Sequence, residues 1–179
     1  MEAHQDVERR LRLPDSITSP FEYENCLLRF YQLYLPLERL LAGFSDWPLM
    51  GFESPEPCRS IWLAADLSAL GVPAECRPVL KEAYLPALPA FANAVGALYV
   101  LEGSALGGQF ILPPLQRLLG KQIAGADAFF RGRGEATGSY WTGFRARLDE
   151  YGTVHPDQSR DVVAGAIATF ESIGTWMRP

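Results

Sequence analysis

The chain has 179 residues, a hydrophobic share of 48%, a charged share of 21% and a formal net charge of −5. This length predicts one domain over residues 1–179 with a substantial core, and the acidic balance without a long basic run excludes a general nucleic-acid binder. Three cysteines, an odd number without a close pair, do not predict a disulfide framework or a zinc site. No signal-peptide pattern precedes the first helical segment, so we expect a reduced, cytoplasmic setting.

Apolar residues recur at helical spacing along most of the chain, and we find no stretch with clean strand alternation. This pattern predicts an all-α fold of about seven or eight helices. Proline should kink or divide the second helix at Pro36 and bend or interrupt the long helix at Pro113 and Pro114. Gly152 should stop the next helix. The predicted helical segments are 2–13, 21–41, 57–70, 79–84, 90–119, 128–130, 139–151 and 156–177.

The segment 98–109, Leu-Tyr-Val-Leu-Glu-Gly-Ser-Ala-Leu-Gly-Gly-Gln, carries three glycines in six residues within a helical pattern. Each glycine in a helix interior costs about 1 kcal/mol relative to alanine, so the run gives up roughly 3 kcal/mol of helix preference. At the helical period, Gly96, Gly103 and Gly107 fall within about 40° of one another on one face. We interpret this face as a bare stripe that another group approaches at the backbone.

A membrane helix is an alternative interpretation of the same segment. The spacing Gly103-xxx-Gly107 is also typical of dimerising membrane helices. Glu102 argues against it, because an acidic residue at a bilayer centre costs about 2.5–3.5 kcal/mol. Gln109 adds to that cost. We therefore expect a buried helix and no membrane association.

The chain has two histidines, and one of them, His4, precedes Glu8 by one helical turn. A carboxylate at that spacing can accept one imidazole N–H and leave the other nitrogen as a metal ligand. A lone histidine is most often a surface residue, so His4 alone predicts no function. So few histidines argue against a di-metal carboxylate site. A haem needs only one histidine, an apolar pocket and cations for its propionates, which Arg145 and Arg147 could supply.

Several motifs in order resemble the bacterial haem oxygenases, most closely those associated with bacteriophytochromes. The segment 98–109 resembles their distal helix, and His4 with Glu8 resembles their proximal histidine helix. The remaining similarities lie in the segments 30–38, 63–71, 141–145 and 168–170. The glycine motif is fairly specific and the others are weak alone, but their order and spacing agree. The resemblance implies a single-domain, multihelical haem-oxygenase-like bundle.

The resemblance also implies an activity. Haem would be both cofactor and substrate, and O2 would be the co-substrate. The products would be biliverdin, CO and iron. Electrons would come from a redox partner such as a ferredoxin-like or flavodoxin-like protein, and a bacteriophytochrome is a candidate recipient of the biliverdin.

Site residues follow from the resemblance by position. His4 would ligate the haem iron with Glu8 beside it, and Gly103, Ser104 and Gly107 would form the catalytic distal face. Serine can hold a water molecule there but supplies no charge. The residues that would contact haem elsewhere are Gly108, Phe144, Arg145, Arg147 and Phe170. Tyr99 would reach a propionate or water, or be a packed aromatic residue.

Two further hypotheses remain beside the enzyme. One is a protein of the same fold that binds haem or another tetrapyrrole without opening the ring. The other is a helical scaffold that binds no such ligand. Haem binding and the fate of haem during reduction distinguish the three.

Overall fold

The computed structural model describes residues 2–56, 58–73, 76 and 84–177. These residues contain seven α-helices and no β-strand, which confirms the all-α prediction and agrees with the expected number of helices. The helices are α1 (Glu2–Leu11), α2 (Pro20–Ala42), α3 (Cys58–Ala69), α4 (Phe91–Leu119), α5 (Ala128–Arg131), α6 (Thr137–Val154) and α7 (Ser159–Trp176). Short 3-10 turns lie at Trp47–Met50, Gly120–Ile123, Gly134–Ala136 and Pro156–Gln158. In the predicted segment 79–84, residues 79–83 lie outside the described residues.

Helix α4 is the central helix, and it packs along α7 and against α2, α5 and α6. Glycine on both helices allows the closest approach. A Cβ placed on Gly96 would lie 1.9 Å from the carbonyl oxygen of Val162, and one placed on Gly165 would lie 2.0 Å from that of Asn93. The two backbones therefore touch directly where neither residue carries a side chain.

The prolines inside α2 and α4 do not divide or interrupt these helices, so that part of the prediction is wrong. The predicted kink at Pro36 and the predicted bend at Pro113 and Pro114 stay predictions. Helix α2 continues through Pro36, and α4 continues through Pro113 and Pro114. Each proline removes one backbone donor and leaves one carbonyl without its helical partner. The residues four positions earlier are half-buried (Gln32) or exposed (109–110), so none of the three affected carbonyls belongs to a fully buried residue.

Three helix boundaries also differ from the predictions. Helix α1 ends at Leu11 because Arg12 adopts a positive φ of 48°. Gly152 does not stop α6, which continues to Val154. Pro156 begins a 3-10 turn, and α7 starts three residues later.

Two buried carboxylates hold the N-terminal ends of α3 and α5 from outside those helices. Glu38 of α2 accepts hydrogen bonds from the backbone N–H groups of Arg59 and Ser60, at 2.9 and 3.1 Å, and from the Ser60 hydroxyl. Asp66 of α3 accepts from the N–H groups of Ala128 and Phe129, both at 2.8 Å. Burial raises the pKa of both carboxyls. These contacts satisfy helix-end donors and fix the two helices to their neighbours.

The segment Phe91–Ile123 is long and apolar enough to cross a membrane, judged by length and composition. Of its most apolar 18-residue window, 56% is buried inside the fold. This burial is typical of the core helix of a globular protein, so the segment is consistent with a soluble chain.

Candidate active site

A cavity of about 460 Å³ lies among α1, α2, α4, α5 and α7, with Trp141 of α6 at one wall. This volume is within the usual range for small-molecule and cofactor sites. Its walls are mainly apolar. The aromatic side chains among the lining residues are Phe30, Tyr34, Tyr99, Phe110, Phe129, Phe130, Trp141 and Phe170.

Helix α1 places His4 and Glu8 at this cavity. The His4 Nδ1 and the Glu8 Oε2 are 3.6 Å apart, and the two side chains are 57% and 66% exposed. The Phe170 ring meets the imidazole edge-to-face at a centroid distance of 5.4 Å. Among the described residues, no hydrogen bond involves the His4 Nε2. This nitrogen therefore remains available as a ligand for a metal in the cavity.

A close helix contact sets the position of α1. A Cβ on Gly174 of α7 would lie 3.3 Å from the Val7 Cγ2 and 3.6 Å from the Arg10 Cδ. The absence of a side chain at Gly174 thus lets α1 lie close against α7. Val7 itself is buried and lines the cavity one turn from His4.

The glycine stripe of α4 divides into two parts. Gly103 and Gly107 line the cavity: a Cβ on Gly103 would lie 3.3 Å from the Trp141 ring, and one on Gly107 would have nothing within 4 Å. Gly96 instead packs against α7, as described above. Gly108 touches the cavity, but its Cβ position lies 2.2 Å from the carbonyl oxygen of Phe130, so this glycine mainly serves packing against α5.

Ser104 and Tyr34 place two hydroxyls at the cavity wall beside Gly103. The Ser104 hydroxyl donates to the Leu101 carbonyl at 2.7 Å, and the Tyr34 hydroxyl donates to the Ser104 Oγ at 3.4 Å. Burial raises the pKa of Tyr34, so this phenol stays protonated at neutral pH. Sequence reasoning did not select Tyr34 as a site residue, although its segment contributed to the resemblance.

Tyr99 and Phe170 lie at the cavity as predicted from the sequence. The Tyr99 ring packs on Trp141 with centroids 5.3 Å apart. Both residues therefore act at least as walls, and the hydrogen bond expected from Tyr99 to a propionate or water stays a prediction.

The structure does not bring Phe144, Arg145 or Arg147 to this cavity. Phe144 stacks behind Trp141 at 5.8 Å and lines a separate outer groove of about 310 Å³. Arg147 lines the same groove, where its guanidinium donates to the Gly51 carbonyl at 2.5 Å. Arg145 is exposed. Neither guanidinium lines the cavity, and the propionate contacts expected of these two arginines stay predictions.

Sequence reasoning missed a buried ion pair that joins Arg59, which lines the cavity, to Glu102, which lines the outer groove. The Arg59 Nη2 donates to the Glu102 Oε2 at 2.9 Å, and the side chains are only 2% and 6% exposed. Burial raises the pKa of Glu102, while the Arg59 charge opposes the shift. A carboxylate within an otherwise apolar helix was the available signal, because a buried charge needs a partner of opposite charge.

The described residues contain no group of three or more His, Cys, Asp or Glu side chains placed to hold a bare metal ion. A haem iron needs only one protein ligand here, and His4 supplies a free nitrogen beside an aromatic cavity.

A model of the haem oxygenase family matches residues 1–179. The chain belongs to the haem oxygenase family. A search of the curated proteins finds no match. Membership supports haem binding and haem degradation as the general function, and with it oxidoreductase activity.

The cavity fits haem in the chemistry of its walls. A haem-binding protein must hold a large flat apolar ring and provide a ligand for its iron. The aromatic walls suit the ring, His4 carries an available nitrogen, and Gly107 leaves open space where any side chain would enter the cavity.

Proposed function

We propose that this chain is a biliverdin-forming haem oxygenase, folded as one domain over residues 1–179. The cavity carries the proposal, because an available histidine nitrogen and a side-chain-free stretch of helix line the same aromatic space. In the reaction, haem and O2 are consumed together with electrons from a redox partner and protons from solvent, and biliverdin, CO, iron and water are released. When bound, haem supplies both the iron centre for O2 chemistry and the ring that is oxidised.

His4 would hold the haem iron through its Nε2, with Glu8 orienting the imidazole through the other nitrogen. The two groups lie one helical turn apart with a separation of 3.6 Å, which supports this orienting role for the Glu8 carboxylate. The aromatic edge of Phe170 limits rotation of the ring.

Gly103 and Gly107 would provide the space for the macrocycle and for O2 on the side of α4. Ser104 would hold a water molecule at its Oγ, with the Tyr34 hydroxyl fixing the serine. The walls around these two hydroxyls are mainly apolar, so few other polar groups compete for such a water molecule. We therefore assign proton delivery to a water molecule held by the Ser104 Oγ.

The proposal is tested by haem titration followed by turnover with ascorbate in air. The wild-type chain should give a Soret band that saturates at one equivalent of haem. On addition of ascorbate it should then convert the bound haem to a bilin and release CO. His4→Ala should shift the Soret band and weaken haem binding by about tenfold or more, since a metal–ligand bond is lost. His155→Ala is the matched control, because the only other histidine contacts Tyr151 and does not line the cavity.

Three results would contradict the proposal. Haem binding that is unchanged in His4→Ala would remove the assigned ligand. Haem that binds and then survives repeated reduction without bilin formation would indicate the alternative function, a tetrapyrrole-binding protein of the same fold. Absence of any tetrapyrrole binding would indicate a helical scaffold.

We also propose a cytoplasmic location and an electron donor of the ferredoxin-like or flavodoxin-like class, with a bacteriophytochrome as a candidate acceptor of the biliverdin. The donor and acceptor proposals rest on the sequence resemblance, and the location rests on three cysteines without the spacing of a disulfide framework. Turnover supported by one class of donor and not by the other would identify the partner.

A further inference from the structure

The outer groove between α4, α6 and the segment 52–56 is a second concave surface of the molecule. Its volume is about 310 Å³, and none of its lining residues lines the haem cavity. Trp141 on the cavity side stacks on Phe144 on the groove side, so this aromatic pair lies between the two spaces. No step of the proposed function uses the outer groove, and its chemistry therefore calls for a separate explanation.

The Glu102 carboxylate offers a hydrogen-bond acceptor to the outer groove. Its side chain is only 6% exposed, and its Oε2 accepts from the Arg59 Nη2. Among the described residues no hydrogen bond reaches the Glu102 Oε1, and this oxygen keeps some accessible surface. Glu102 lines the outer groove and not the haem cavity, so a ligand can reach the Oε1 from the groove. A nearly buried carboxylate oxygen without a partner gains free energy from an N–H or O–H donor.

Arg147 brings a positive charge to the same groove. Its Nη1 donates to the neutral carbonyl of Gly51 at 2.5 Å, and its guanidinium carbon lies 5.4 Å from the centre of the Phe52 ring. These contacts hold the guanidinium at the groove without neutralising it. The two carboxylates that line the groove are already paired within the protein, Glu102 with Arg59 and Glu56 with an arginine of the neighbouring loop.

The charges of the outer groove therefore favour an anion. Among the described residues that line it, Arg147 is the charged group without a counter-charge at ion-pair distance. A planar guanidinium in this position is suited to a carboxylate, which can accept two parallel N–H hydrogen bonds. The groove thus presents a cation for an acid group and, at Glu102, an acceptor for a donor group.

The walls of the outer groove are suited to an aromatic ring. Phe52, Tyr140 and Phe144 all line it. Gly143, on the same face of α6, also lines the groove, and a Cβ placed on it would have nothing within 4 Å. A flat ring can pack among these side chains in offset or edge-to-face contacts.

The spacing of the two polar groups limits the length of the ligand. Helices α4 and α6 run antiparallel, because Phe91 packs on Tyr151 while Gly103 lies against Trp141. The carboxylate that precedes Gly103 is therefore level with Trp141, and Arg147 lies six residues further along α6. This offset is roughly 9 Å along the helix axis. An aromatic ring that carries a short acid chain at one end and a donor at the other has a comparable length.

We propose that the outer groove binds a small aromatic carboxylic acid that carries a hydroxyl group on its ring. The carboxylate binds Arg147, the ring packs among the aromatic walls, and the hydroxyl donates to the Glu102 Oε1. This site is separate from the haem cavity, so the inference stands or falls independently of the proposed function.

The probe for this site is para-hydroxyphenylpropionate, titrated into the full chain and followed by ligand-observed NMR. One equivalent should bind with a dissociation constant below about 1 mM. Phenylpropionate lacks the hydroxyl and should bind several-fold more weakly, because the Glu102 Oε1 receives no donor. Tyramine replaces the carboxylate by an ammonium group and should bind more weakly still, because Arg147 repels it.

Arg147→Met tests the cation of the site. The affinity for para-hydroxyphenylpropionate should fall by about tenfold or more, because a charged hydrogen bond is lost. Arg145→Met is the matched control, since Arg145 is an exposed arginine of the same helix and does not line the groove. Both variants remove one positive charge from α6, so a difference between them reports on position. The control should keep the wild-type affinity.

Gly143→Leu tests the location of the site by filling the groove. The leucine side chain has room in the unliganded protein, and binding of para-hydroxyphenylpropionate should be lost. Gly138→Leu is the control, because Gly138 also lies in α6 with nothing near its Cβ position and does not line the groove. Gly107→Leu adds a side chain to the haem cavity instead, and it should leave this affinity unchanged.

Four results would overturn the inference. Absence of para-hydroxyphenylpropionate binding up to about 10 mM would remove the site. Equal binding in wild type and Gly143→Leu would place the ligand elsewhere. Equal affinity for phenylpropionate would contradict the role of Glu102, and binding of tyramine as tight as that of the acid would contradict the role of Arg147.

Discussion

Gly96 and Gly107 lie on the same face of α4 by helical spacing, but they meet opposite surroundings. A Cβ at Gly96 would lie 1.9 Å from a backbone oxygen of α7, whereas a Cβ at Gly107 would meet nothing within 4 Å. The first glycine permits contact between two backbones, and the second keeps a cavity open. Glycine spacing therefore identifies a face of a helix that lacks side chains, but it does not tell whether another helix or a ligand lies against it.

The largest loss of stability is expected where α4 packs against α7. Gly165→Ala places a methyl group 2.0 Å from the Asn93 carbonyl oxygen, so α4 and α7 must move apart. We expect the free energy of unfolding to fall by about 3 kcal/mol, the upper range for overpacking in a core. Urea denaturation of the unliganded protein measures this loss. A variant within about 1 kcal/mol of wild type would show that the two helices separate easily.

Gly107→Leu tests the part of α4 that lines the cavity. The side chain has room in the unliganded protein but occupies space that the proposed function assigns to haem and O2. Haem affinity should fall by about tenfold or more while the free energy of unfolding does not decrease. Soret titration and urea denaturation give the two values.

Gly152→Leu is the control for this variant, because Gly152 also has nothing near its Cβ position and lies in α6 away from the cavity. Its haem affinity should equal that of wild type. Equal haem affinity in Gly107→Leu would mean that haem does not approach this part of α4.

The smallest effect is expected when a single methyl group is added at Gly107. Gly107→Ala adds one methyl group in open space and replaces glycine by the best helix former. The unliganded protein should gain about 1 kcal/mol in the free energy of unfolding. Thermal unfolding monitored by circular dichroism checks the direction. A loss of stability would indicate that the added methyl group meets a steric contact at this position.

Most of the helices could be predicted from periodicity, because the long apolar stripes of α2 and α4 are buried in the fold. The continuity of α4 through Pro113 and Pro114 could not be predicted from periodicity. Packing of α4 on several sides outweighs the hydrogen bonds that the two prolines remove. The local sequence indicates the free-energy cost of proline inside a helix, but it does not show which neighbouring helices offset that cost.

The candidate site was predictable where one helix carries the pattern. Placement of His4 with Glu8 follows from one turn of α1, and the paired cavity glycines follow from one turn of α4. On α6 the spacing of Trp141 and Phe144 is helical, but the rotation of the helix turns Trp141 toward the cavity and Phe144 behind it. Rotation depends on tertiary packing, which the spacing of residues in one helix does not determine.

The Asp66 contact with α5 has a consequence for the order of assembly. Helix α5 has four residues, too few to be stable alone, and its first N–H groups are held by a carboxylate 62 and 63 positions earlier in the chain. Phe129 and Phe130, which form part of the cavity wall, can therefore take their places only after α3 has docked. The binding site should mature late in folding, and the amide hydrogens of Ala128 and Phe129 should exchange with solvent no faster than the α3–α5 contact opens.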